Sequence, residues 1–125
     1  MEESSAKKIL IVEDDESLAA ALTTLLKAQG YSVKAAYDAK AGTGLAVSDS
    51  PNLIVLDLGL PAGGGFSVLQ NLRASQDTKG IPVVVLTALT DRDMEPKACQ
   101  LGASVFIRKP YEPEILLEKI KGIIG

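Results

Sequence analysis

Short runs of β-branched residues alternate along this chain with segments whose apolar side chains recur every three or four positions. The runs "KILIV" (8–12), "NLIVLDL" (52–58) and "IPVVVLTA" (81–88) are apolar on both faces, the pattern of strands covered from both sides. "YSVKAA" (31–36) alternates apolar with polar or small residues and suits a half-exposed edge strand. "ASVFI" (103–107) reads as a fifth strand, also at an edge. Helical stripes lie between them. Leu18, Ala21, Leu22, Leu25 and Leu26 predict a helix over about 17–29, stopped by Gly30 as a natural C′ residue. Ala41, Leu45 and Ala46 outline a weaker helix that ends before Pro51, and Phe66, Leu69 and Leu72 a third. Leu116, Ile120, Ile123 and Ile124 line the last, which Pro113 can open from the first helical position. The fourth, "TDRDMEPKACQLG" (90–102), carries Pro96, which lacks an N–H and clashes with the preceding turn. That helix is either kinked or short and late-starting, and the short form is preferred.

A β-α order repeated five times predicts an α/β fold: one doubly wound domain with a parallel five-stranded sheet and helices on both faces. The length, 125 residues, is that of one domain, and no linker, repeat or low-complexity tract divides it. The acidic-then-basic start, residues 1–6, reads as a flexible N-terminus. Apolar runs of five or six residues fall far short of a membrane span, and no signal-peptide pattern precedes them. A single cysteine, Cys99, excludes an internal disulfide and suits a reducing, cytoplasmic setting. A net charge of −3, with no basic cluster beyond Lys7–Lys8, argues against direct nucleic-acid binding. The absence of histidine excludes imidazole acid–base catalysis and His-ligated zinc, so any chemistry runs on carboxylates, hydroxyls, lysines and a metal held by oxygen.

Polar groups follow the apolar runs directly. "ILIV" ends in Glu13-Asp14-Asp15, "LIVL" in Asp57, "VVVL" in Thr87 and "VFI" in Arg108-Lys109-Pro110. In a parallel sheet these ends share one edge, where open α/β folds bind ligands at the reversal of strand order. Ordinary roles exist for most of them: Asp14 or Asp15 as a helix cap, Thr87 as strand composition, Lys109 as a solvated charge. Asp57 resists such a reading, because it follows Leu56 in a central strand and no helix starts until about Gly65. Two carboxylates about 5 Å apart repel by roughly 3 kcal/mol at an effective dielectric near 20. A cluster of three calls for a counter-charge, which Lys109 and a hard divalent cation such as Mg²⁺ can supply. A carboxylate can also act as a nucleophile toward phosphorus, and Asp57 is the candidate. Lys109 and the Thr87 hydroxyl would then pair with the remaining phosphoryl oxygens.

From about Lys7 to Ile124 the chain resembles the receiver domain of bacterial two-component response regulators, through "ILIVEDDE", "LIVLDLGLP", "VVVLTA", "LGA" and "KP" in register. The resemblance implies a flavodoxin-like sheet of order 2-1-3-4-5 and a single receiver domain over 1–125. It implies that Asp57 takes a phosphoryl group from a sensor histidine kinase or a histidine phosphotransfer protein. It places the family's acidic pair on Glu13 and Asp14, not on Asp14 and Asp15. Mg²⁺, with Mn²⁺ as a substitute, would be held by Asp14, Asp57 and the Gly59 carbonyl, and by Glu13 through water. Thr87 matches the switch hydroxyl, Phe106 the switch aromatic and Lys109 the phosphate-binding lysine, with a cis bond expected at Lys109–Pro110. On phosphorylation Thr87 would move toward the phosphate and Phe106 inward. The surface of the fourth helix, fifth strand and fifth helix would then change its affinity for an output domain or target protein. The implied molecule is a phosphoacceptor that assists its own phosphorylation and dephosphorylation, cytoplasmic, without membrane or nucleic-acid partners, and monomeric or weakly homodimeric when phosphorylated.

Departures from the family pattern are Gly59 and Gly64, where bulkier and acidic residues are usual, the pliable "AGGG" (62–65), and Pro96 in the signalling helix. An aspartate-nucleophile phosphatase of the haloacid dehalogenase type needs a second Asp where Gly59 stands. A flavodoxin-like FMN domain needs a phosphate loop where "VEDDES" would repel the phosphate. The remaining alternative is a degenerate receiver serving as an unphosphorylated interaction module. The length leaves no room for an output domain, which fits a stand-alone regulator or one receiver of a larger protein.

Overall fold

β1 (Lys8–Val12) lies between β2 (Ser32–Ala36) and β3 (Leu53–Asp57), and β4 (Val83–Thr87) and β5 (Val105–Arg108) extend the sheet beyond β3. The computed structural model describes residues 6–61, 64–88 and 92–125. All four strand pairings are parallel, so the order is 2-1-3-4-5, with its reversal between β1 and β3. The helices are α1 (Glu16–Lys27), α2 (Ala39–Asp49), α3 (Gly64–Ala74), α4 (Met94–Gln100) and α5 (Pro113–Ile124). β3 and β4, the runs without alternation, are buried throughout, whereas β5 at the edge is only half-buried.

The two-residue period of the strands splits the core in two. Leu10, Val12, Ile54, Leu56, Val83 and Val85 pack with α2, α3 and α4, while Ile9, Ile11, Leu53, Val55, Val84 and Leu86 pack with α1 and α5. Side-chain caps start two of the helices. Asp15 accepts hydrogen bonds from the Ser17 and Leu18 N–H groups at 3.0 and 3.2 Å, and Asp38 accepts from the Ala41 N–H at 2.7 Å. α1 closes as predicted at Gly30, whose φ of +95° lets its N–H reach the Lys27 carbonyl (3.0 Å) while Tyr31 N–H reaches that of Leu26 (3.4 Å).

The buried faces differ from the predicted stripes in detail. α1 buries Ala19, Leu22 and Leu26; Leu18, at 42% exposed, and Ala21 face outward because the helix is rotated to lay Ala19 on the sheet. α2 buries Gly42 and Ala46, with Ala41 exposed. It sits so close to β1 that a Cβ on Gly42 would stand 2.8 Å from a Val12 methyl. Small residues on the contact face are the reason its stripe is faint. α3 comes equally near the β3 exit: a Cβ on Gly65 would lie 2.4 Å from Leu58 Cα. α4 is short and begins at Met94, so Pro96 falls in its first turn, where a missing N–H costs no helical bond and no kink follows. The expected flexible start falls on residues 1–5, outside the described residues, and on Ala6, which is half-buried; Ala62 and Gly63 of "AGGG" also lie outside them. Among the described residues no helix is long and apolar enough to cross a membrane.

Candidate functional site

Register decides which side chains meet at the C-terminal edge of the sheet. Val12 pairs with Leu56, so Glu13 and Asp57, the next residues on β1 and β3, emerge side by side. Both continue the alternation on the α1/α5 side, following Ile11 and Val55. Lys109 follows Ile107 on that same side, two residues along. Thr87 and Phe106 have the opposite parity and belong with Val85 on the α3/α4 side.

The outcome is a compact ionic cluster. Glu13 and Asp57 are buried, at 3% and 8% exposure, and the Lys109 side chain is mostly enclosed. Lys109 Nζ donates to Glu13 Oε1 at 2.7 Å and to Asp57 Oδ2 at 3.4 Å. The remaining oxygens are also held: the Asp15 N–H donates to Glu13 Oε2 at 3.2 Å, and the Gly59 N–H to Asp57 Oδ1 at 2.8 Å. Asp14 is exposed, yet one carboxylate oxygen each from Glu13, Asp14 and Asp57 lie within 4.8 Å of one another. Asp15 is turned away to cap α1. Three carboxylates therefore face one ammonium, an arrangement of hard oxygen donors with negative charge to spare, which fits a divalent cation.

Burial raises the Glu13 pKa, and the neighbouring Asp57 raises it further against the pull of Lys109. Burial works to lower the Lys109 pKa, but the Glu13 and Asp57 carboxylates outweigh it and hold the ammonium charged. Gly59 flanks Asp57 closely enough that a Cβ there would stand 3.2 Å from Oδ1, so glycine keeps that side of the carboxylate open. Thr87 is fully buried, and its carbonyl accepts from the Lys109 N–H at 2.8 Å, tying the β4 exit to the β5 exit. Phe106 is half-buried, with the Arg108 guanidinium carbon 5.2 Å from its ring centroid. The Lys109–Pro110 bond is cis.

A cavity of about 390 Å³ adjoins the cluster, lined by Glu13, Leu18, Leu22, Ala88, Lys109, Pro110 and Tyr111. Sequence reading missed Tyr111, whose signal was its place directly after the Lys-Pro pair. Burial pushes its phenol pKa up; Lys109 opposes this and Glu13 adds to it. The helical stripe places Leu18 with the core, whereas the structure leaves it exposed beside this cavity.

The sequence profile of the response regulator receiver domain matches residues 9–121. The chain is 36% identical over 118 residues to the probable transcriptional regulator ycf27 of Porphyridium aerugineum, covering 94% of this chain and 48% of that protein. It is 38% identical over 99 residues to the DNA-binding dual master transcriptional regulator RpaA of Synechocystis sp., covering 79% and 41%. The chain thus spans about half the length of the curated relatives it matches. Among solved structures it is similar to the chemotaxis protein CheY4 of Vibrio cholerae, with a TM-score of 0.88, 26% identity and coverage of 96% of this chain and 100% of that one. It is likewise similar to a CheY-like receiver domain protein of Methanospirillum hungatei, with a TM-score of 0.88, 30% identity and coverage of 94% and 93%.

Proposed function

The chain belongs to the response regulator receiver domain family of two-component signalling, and from that premise we propose that it is a phosphorylation-activated switch whose phosphoacceptor is Asp57. The observation that carries this reading is the enclosure of Asp57 between Lys109 Nζ at 3.4 Å and the convergent oxygens of Glu13 and Asp14. An Asp57 carboxylate oxygen attacks the phosphorus of a phosphohistidine on a sensor kinase or a histidine phosphotransfer protein. The new P–O bond forms as the P–N bond breaks, and the imidazole, protonated on its other ring nitrogen while it carries the phosphoryl group, leaves neutral. Asp14 and Asp57 with the Gly59 carbonyl, and Glu13 through water, would hold Mg²⁺ or Mn²⁺. Such an ion, when bound, neutralises charge on the phosphoryl oxygens.

The rest belongs to the chain. Lys109 shifts its pairing from Glu13 to a phosphoryl oxygen, and the Thr87 hydroxyl donates to another. Phe106, on the same sheet face as Thr87, follows inward, and the α4–β5–α5 surface changes. Receiver domains are phosphoacceptor signalling domains, not enzymes in the usual sense; assisted dephosphorylation of Asp57 is part of the proposal. So are residues 1–125 as one receiver unit, a cytoplasmic location, a monomer or weak phosphorylation-dependent homodimer, and coupling to an output domain or separate target. That the relatives are named transcriptional regulators supports that coupling. Direct nucleic-acid contact is not expected of this domain, and the unphosphorylated interaction module is not favoured, because every residue of the acidic, hydroxyl and lysine set is present.

Incubation with acetyl phosphate and Mg²⁺, followed by intact-mass measurement, is expected to add one phosphoryl group to the protein and none to Asp57→Asn. Equal labelling of the variant removes Asp57 as the acceptor, and no labelling of either removes the switch.

A further inference from the structure

At the opposite edge of the sheet from the ionic cluster, Arg73 in the last turn of α3 spends its guanidinium on main-chain carbonyls. Nη1 donates to Lys79 O at 3.0 Å and Ile81 O at 2.8 Å, while Nε and Nη2 both donate to Gly102 O, at 3.3 and 2.8 Å. One side chain thereby ties together the end of α3, the α3–β4 connection and the corner between α4 and β5. The corner is shaped to receive it. Gly102 has φ +99° and ends α4, with its N–H on Cys99 O and the Ala103 N–H on Ala98 O, each at 3.0 Å. A Cβ on Gly102 would lie 2.4 Å from Arg73 Nε, so the guanidinium runs through the space the glycine leaves. The next residue fastens the corner to β4: the Ser104 N–H donates to Val83 O at 2.8 Å, and Ser104 Oγ accepts from the Val83 N–H at 3.3 Å.

The body of α4 is held more lightly. Ala98, near its C-terminal end, is its only fully buried residue, and Met94 at its start packs against the core while only partly buried. The Lys97 ammonium rests on the Phe66 ring at 4.4 Å, a solvent-facing contact with α3.

We propose that Arg73 is a hinge post: it immobilises the α4–β5 corner at Gly102, so that α4 moves by pivoting there, its N-terminal half swinging while its C-terminal end stays fixed. The pivot as a response to phosphorylation rests on the switch reading above; the pinning of the corner does not. Residue-resolved amide exchange by NMR separates the two. It would be run on the whole chain and on Arg73→Met and Arg73→Lys, with Mg²⁺ alone and with beryllium fluoride added as the phosphoryl mimic.

With Mg²⁺ alone, Gly102 and Ala103 are expected to be protected more than Lys97. In Arg73→Met their exchange should accelerate roughly tenfold beyond that of Ile54 and Val84 in the central strands, which report global stability. Arg73→Lys, with one ammonium in place of the forked guanidinium, should fall between, and it serves alone if Arg73→Met does not fold. With the mimic, wild-type changes should concentrate at Glu95 and Lys97 and spare Ala103 and Ser104, and the arginine variants should let them spread to the corner. Unchanged corner protection in the variants overturns the hinge post. So does a wild-type corner that responds to the mimic as strongly as Lys97. A wild type that ignores the mimic everywhere, Gly59 included, defeats the switch reading, and the pinning is then decided by the Mg²⁺-only comparison.

Discussion

Lys109 leans more closely on Glu13 than on Asp57: its ammonium is 2.7 Å from the glutamate and 3.4 Å from the aspartate, and both acids are buried. Without phosphate or a divalent ion, this lysine is the cation that makes the two carboxylates tolerable together. Lys109→Ala is therefore expected to lower stability by about 2 kcal/mol in chelator, because a buried acid pair loses its counter-charge. Saturating Mg²⁺ should restore most of that loss, since the ion supplies the missing charge at the same place. Thermal denaturation with and without Mg²⁺ measures both. An equal loss under the two conditions would show that Lys109 contributes packing, and that the carboxylates do not share an ion.

Asp14 and Asp15 are neighbours with separate tasks. Asp14 is exposed and offers its oxygen to the Glu13–Asp57 cluster, whereas Asp15 spends Oδ1 on the Ser17 and Leu18 amides. Asp14→Ala should weaken Mg²⁺ binding at least about tenfold with little change in stability. Asp15→Ala should leave Mg²⁺ affinity close to wild type and cost about 1 kcal/mol through the lost cap. Calorimetric Mg²⁺ titration and urea denaturation of each variant give the two rankings, and the reverse order would move the metal-binding acidic pair one residue along the chain.

What could be read in the sequence was whatever repeats with a period or follows an apolar run. β1, β3 and β4 are continuous apolar runs and fall where expected, and with them Glu13, Asp57 and Thr87 at their exits. The stripe of α1 misled by one position, because Leu18 and Ala19 are both apolar and only packing selects Ala19 for the sheet. α2 was faint because close approach to Val12 demands Gly42 and Ala46 in place of large apolar residues. Arg73 and its carbonyls carry no periodic signal at all: Lys79, Ile81 and Gly102 become its partners only once α3, β4 and β5 are laid side by side. Asp15 left both roles open, and its turn toward the α1 amides settles which one it takes here.

Two glycines of α2 should respond to alanine with opposite signs. Gly44 has nothing within 4 Å of where a Cβ would stand, so Gly44→Ala is expected to stabilise the protein by about 0.5–1 kcal/mol by lowering the cost of ordering the helix. At Gly42 the new methyl would meet both Val12 methyls, at 2.8 and 2.9 Å, and Val12 is a stiff, β-branched side chain that is 1% exposed. Gly42→Ala is expected to cost about 1–3 kcal/mol by overpacking. It should also disturb the β1 exit, shifting the amide resonance of Glu13. Urea denaturation gives both signs, and a neutral Gly42→Ala would mean that α2 rides further from the sheet than its contact with Val12 indicates.

Tyr31 gives the fold a dependence on alkaline pH that is independent of the ionic cluster. Tyr31 is 7% exposed, and its hydroxyl donates to Gly125 O at 3.3 Å, joining the start of β2 to the end of α5. Burial disfavours the phenolate, so its pKa in the folded protein is raised above the value of about 10 that an unfolded tyrosine shows. Above pH 10 the unfolded chain therefore loses this proton first. The stability that comes from keeping the phenol neutral is complete below about pH 10 and drains away as pH rises through the raised folded-state value. Tyr111, whose pKa burial also raises, adds to the same decline. Tyr31→Phe should cost about 1 kcal/mol at neutral pH through the lost hydrogen bond and should make the alkaline decline shallower, leaving the parts due to Tyr111 and to Lys109, whose pKa is also raised. Urea denaturation of both proteins from neutral pH to above pH 10 measures the two slopes. Coincident slopes would show that the Tyr31 hydroxyl meets solvent as freely in the folded chain as in the unfolded one.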